Sequence, residues 1–97
     1  MEEIETVCME IEAVLNDICS TGVDEMDETA VVGKLEELGI KTGNLRMQKG
    51  KELIKGFITE YKKYRKGKTE IKQMAKNLMA MNFYVKNIIE YKDRSEL

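Results

Sequence analysis

Apolar residues recur along this chain at alternating steps of three and four. Ile4, Cys8, Ile11, Leu15 and Ile18 make one series, Met47, Gly50, Ile54, Phe57, Tyr61 and Tyr64 a second, and Ile71, Met74, Leu78, Met81, Val85 and Ile88 a third. An α-helix turns about 100° per residue, so each series falls on one stripe of a helix. Val31, Leu35 and Leu38 continue the pattern over a shorter stretch, and no proline interrupts any of it. The spacing predicts helices near residues 2–20, 27–38, 44–66 and 69–93. Stripes of this kind suit side-by-side packing at shallow angles. The expected fold is all-α: a small, mostly antiparallel four-helix bundle forming a single helical domain over residues 1–97.

The predicted stops rest on glycine and capping residues. Ser20-Thr21-Gly22 closes the first helix, and Asp27 caps the second, with Met26 and Val31 placed for a hydrophobic staple. Leu38-Gly39-Ile40 reads as a left-handed C-terminal turn with Ile40 folded back, and the third helix then starts between Thr42 and Leu45. On that reading Gly43, Gly50 and Gly56 all lie on helix three, each costing about 1 kcal/mol relative to alanine, and Gly43 and Gly50 share a face that a neighbouring helix can approach closely. Gly67 ends helix three, and Thr69 with Glu70 starts helix four. The stretch YRKGKTE, residues 64–70, invites comparison with a phosphate-binding loop. The glycine required five residues before Gly67 is Lys62, however, and the residues upstream have helical rather than strand spacing. "GKT" reads instead as the end of one helix and the start of the next.

Helix four is apolar almost all round between Leu78 and Val85, which fits a central helix or one covered by a partner. Met79, Phe83 and Tyr84 are the candidate partner surface, and a homodimer through them is the favoured self-association.

Charge is strongly segregated. The formal net charge is only −2. Residues 1–40 nevertheless hold twelve acids and one base (−11), residues 41–76 twelve bases and three acids (+9), and residues 77–97 three of each. Three readings follow: acidic and basic helices lie side by side and neutralise one another; a charged protein partner or a second copy binds; or the basic region around residues 46–76 contacts nucleic acid. For the last, the candidate polyanion contacts are Lys62, Lys63, Arg65, Lys66, Lys68, Lys72 and Lys76.

Chemistry has less support. The chain has no histidine, so the usual proton shuttle near neutral pH is missing and a cysteine nucleophile lacks its common base. Cys8 and Cys19 are expected to be buried free thiols too far apart along one helix to bridge. Asp24, Glu25, Asp27 and Glu28 do not follow the EF-hand order. No catalytic residue, metal site or cofactor is assigned. The acidic start and the lack of a long apolar run suggest a cytoplasmic protein without a membrane segment. The expected function is a small non-enzymatic protein-binding or regulatory domain acting through an apolar helix face and segregated charge patches; the alternative is a nucleic-acid-binding protein.

Overall fold

The computed structural model describes residues 2–97. Four helices account for most of them: α1 (Glu3–Thr21), α2 (Glu28–Asn44), α3 (Gln48–Arg65) and α4 (Ile71–Tyr91), with no strand among the described residues. Each helix packs on the next, α4 closes back on α1, and the diagonal pairs α1/α3 and α2/α4 do not touch through their backbones. Glu10 meets Lys41 at 3.2 Å, Tyr84 lies over Gly50, and Lys92 meets Glu5 at 2.8 Å. In each pairing an earlier residue of one helix meets a late residue of the other. The neighbours are therefore antiparallel, in a bundle of 37 × 21 × 21 Å.

The stripes form the core. Cys8, Ile11, Leu15 and Ile18 of α1 face Leu35 and Leu38 of α2, Ile54, Phe57 and Tyr61 of α3, and Met74, Met81, Val85 and Ile88 of α4, all buried. Ile71 alone leaves the series, at the exposed first turn of α4.

Two predicted stops are where the residues place them. Asp27 accepts from the N–H groups of Thr29 and Ala30, satisfying donors that the first turn of α2 leaves free. At the other turn Gly67, at φ +70°, donates to the Tyr64 carbonyl while Lys68 donates to Lys63, a left-handed C-terminal motif that fits glycine.

Two others differ. α2 runs on through Gly39 to Asn44, so Gly43 belongs to α2 and Ile40 stands in solvent instead of folding back. Contacts outside the turn hold those extra residues. Lys41 reaches Glu10, and Thr42 is fully buried with its hydroxyl donating to the Gly39 carbonyl. The chain then reverses at Arg46, φ 60°. The start of α4 also differs: Glu70 occupies the cap position, and neither it nor Thr69 gives a side-chain cap.

α3 begins after Met47, which occupies its cap position without a capping side chain. Its free N–H groups are met by a distant segment. The tail after α4 crosses back, and the Leu97 backbone oxygen accepts from the N–H groups of Lys49 and Gly50 and from the Tyr84 hydroxyl. Arg94, bonded to Glu2, Glu5 and the Ile88 carbonyl, and Lys49, paired with Glu96, hold the tail in place.

Candidate partner-binding surfaces

Helix periodicity decides which parts of α4 meet solvent. Met81, Val85 and Ile88 point inward, so residues half a turn away point outward: Lys72, Lys76, Met79, Phe83, Lys86 and Glu90 are all exposed. Met79 is 68% and Phe83 71% exposed, large values for apolar side chains in the middle of a helix. Tyr84 does not join them. It is 8% exposed, packs over Gly50 and donates to Leu97, and burial pushes its phenol up to about 12. The candidate surface on α4 is thus Met79 and Phe83, with Tyr84 corrected to the core.

The basic residues assigned to polyanion contact divide in the same way. Lys62, Lys66, Lys68, Lys72 and Lys76 are exposed around the α3–α4 turn, and none lies within ion-pair distance of a carboxylate among the described residues. Lys63 pairs with Glu60 at 3.8 Å. Arg65 has a structural task instead. Its guanidinium donates to the carbonyls of Val23 and Met26 and to the Tyr61 hydroxyl, and lies 5.7 Å from the centre of the Tyr61 ring. This ties the end of α3 to the α1–α2 connection. Tyr61 is buried, and the Tyr64 phenol is pushed up chiefly by its hydrogen bond to Asp24. Neither ring is an open platform for stacking a base.

A cleft of about 710 Å³ lies between α2 and α3. The sequence reading missed it. Gly39 and Gly43 sit one turn apart on the side of α2 that faces α3; a Cβ at Gly39 would stand 3.7 Å from Ile54, and one at Gly43 3.4 Å from Lys51. Their missing side chains lower the α2 wall. Ile58 lies at the floor with the buried Ile54 beneath it, Ile40, 66% exposed, stands on the α2 rim beside Glu36, and Lys51, Lys55 and Lys62 form the α3 rim. None of the three lysines lies within ion-pair distance of a carboxylate among the described residues. From Gln48 to Lys62 the trough runs roughly 21 Å along α3, or about four turns. The Gly39/Gly43 spacing was the available signal, and it was obscured by ending α2 at residue 38.

The cysteines separate. Cys8 is buried, and desolvation pushes its thiol up to about 11, whereas Cys19 is exposed, contrary to the expectation of two buried thiols. No group of three or more potential metal ligands occurs among the described residues, and no helix is long and apolar enough to cross a membrane. Comparison of the chain with family models, curated proteins and solved structures returned no match.

Proposed function

We propose that this chain is a protein-binding module whose α2/α3 trough receives an acidic amphipathic helix. The observation that carries the reading is the combination in one trough of accessible apolar side chains, Ile40 and Ile58, with a rim of three lysines that form no ion pair among the described residues. An amphipathic helix lays its apolar face into such a groove, and acids on its flanks meet the rim. A trough about four turns long and open along its length suits a helix better than a compact small molecule. No catalytic step forms part of the proposal.

The test is an amide chemical-shift titration with a 16-residue helical peptide carrying leucines at three-four spacing and glutamates on both flanks. Gly39, Gly43 and the Lys51–Lys62 stretch are expected to shift. A counterpart with lysine for each glutamate is expected to leave them unmoved. Each rim charge contributes roughly 0.2–1 kcal/mol, so Lys51→Gln, Lys55→Gln and Lys62→Gln together are expected to weaken binding about tenfold. Equal binding of both peptides, or shifts confined to other faces, refutes the reading.

A second reading has its own observation, the unpaired lysines 62, 66, 68, 72 and 76 around the α3–α4 turn. They favour nucleic acid as partner if labelled duplex or single strands bind with an affinity that falls steeply between about 50 and 200 mM salt.

A further inference from the structure

The exposed stripe of α4 is self-complementary. Phe83 follows the level of residue 81 by the same two residues by which Met79 precedes it, and Glu90 follows that level by the same nine by which Lys72 precedes it. At about 100° per residue these four side chains fall within roughly 40° of arc, on one narrow outward line. All four are exposed. We propose that this line pairs with the α4 of a second copy, antiparallel, across a twofold axis at the level of residue 81.

In a twofold interface, if residue i meets residue j, then j meets i. Met79 of each copy then lies on Phe83 of the other, a sulfur–aromatic contact made twice. Lys72 of each copy meets Glu90 of the other, again twice. Lys76 and Lys86 also come level across the axis, but they flank the line on opposite sides, roughly 80° apart around the helix. They point to opposite edges of the seam, where solvent screens them. Ala75 and Ala80 flank the same line and add no bulk.

A second copy is the occupant this pattern selects. Glu90 is the one acid on α4, and it stands where the twofold brings Lys72. An unrelated acidic partner would leave Glu90 facing like charge. The pairing is independent of the α2/α3 trough: α2 is diagonal to α4, so the trough stays open in the pair.

Sedimentation equilibrium of the full chain at tens of micromolar is the test. The wild type is expected to be a dimer, and Phe83→Glu a monomer with unchanged helical circular dichroism. Lys72→Glu replaces two attractive pairs with two repulsive ones and is expected to weaken dimerisation about tenfold, as is Glu90→Lys. Combining both exchanges the charges and is expected to restore the affinity to within about twofold of wild type. A monomeric wild type overturns the proposal, as does a Phe83→Glu protein that stays dimeric or a double variant no tighter than the singles. The trough variants Lys51→Gln, Lys55→Gln and Lys62→Gln are expected to leave the dimer unchanged, which separates failure of this seam from failure of the trough.

Discussion

Alanine in place of glycine should act in opposite directions at two helical sites. Both Gly33 of α2 and Gly50 of α3 adopt helical conformations; a helix-interior glycine such as Gly33 costs about 1 kcal/mol relative to alanine, and one in the first turn, such as Gly50, less. At Gly33 an added Cβ meets nothing within 4 Å. Gly33→Ala should therefore gain most of that propensity, roughly 0.5–1 kcal/mol. At Gly50 the same atom would stand 2.9 Å from the Tyr84 hydroxyl oxygen and 3.0 Å from its Cε2. Tyr84 cannot easily retreat, because its ring is buried and its hydroxyl is bonded to Leu97 at 2.6 Å. Overpacking costs about 1–3 kcal/mol, and losing that hydrogen bond about 0.5–1.5 more. Set against the propensity gain, Gly50→Ala should destabilise by roughly 1–3 kcal/mol. For a domain of this size about 1 kcal/mol moves Tm by roughly 4 °C. Urea denaturation followed by circular dichroism, at one protein concentration throughout, measures both variants. A Tyr84→Leu background should recover much of the Gly50→Ala loss, since the coupling runs through that ring. If Gly50→Ala stabilises as Gly33→Ala does, the close packing of α3 on α4 through Tyr84 is wrong.

Two further predictions concern the thiols and the tail. A water-soluble aromatic disulfide reagent should modify one equivalent of thiol rapidly, at Cys19, and reach Cys8 only when the bundle opens; Cys19→Ser should abolish the fast phase, and a fast phase that survives would mean that Cys8 is accessible. Glu5 is held below its ordinary 4.5 chiefly by the hydrogen bond from Lys92, with Lys92 and Arg94 charges adding. A lowered folded value stabilises fully above 4.5 and is lost as pH falls through that lower value. Protection of the Lys49 and Gly50 amides, corrected for intrinsic exchange rate, should drop below pH 4.5, and Glu5→Gln should weaken that dependence. Unchanged protection on acidification would show that Glu5 does not hold the tail.

Much of this architecture is legible in residue spacing, for a local reason. A stripe such as Cys8, Ile11, Leu15 and Ile18 declares its buried side whatever it packs against, so helix number, type and core face follow from each segment alone. The features that could not be read depend on partners distant in the chain. α2 passes Gly39 because Glu10 and the buried Thr42 hold the turn beyond it. Tyr84 is in the core because the oxygen that satisfies its hydroxyl belongs to Leu97. Arg65 looks like one more exposed base until the carbonyls of Val23 and Met26 come beside it. The trough escaped for the same reason: Gly39 and Gly43 become a low wall only once the flank of α2 that faces α3 is known.

The segregated charges acquire a spatial meaning from the same helix order. Side-by-side neutralisation requires the acidic first 40 residues to meet the basic run of residues 41–76, yet among the described residues Lys41, paired with Glu10 and Glu37, is the one base of that run in an ion pair with them. The reason is geometric. α1, with five acids and no base, lies diagonal to α3, with six bases and two acids. The acidic and basic edges stand on opposite sides of a cross-section 21 Å wide, about two Debye lengths at 0.1 M salt. The α1 acids therefore screen the α3 bases little. On the proposed function, the basic edge would direct an acidic helix to the α2/α3 trough, and the acidic α1 edge would repel one that approaches from the other side. Pairing through α4 would set two such troughs on one particle without burying either. A partner presenting two acidic helices on a linker long enough to span them would then bind more tightly than the sum of single sites, whereas a partner with one helix would not.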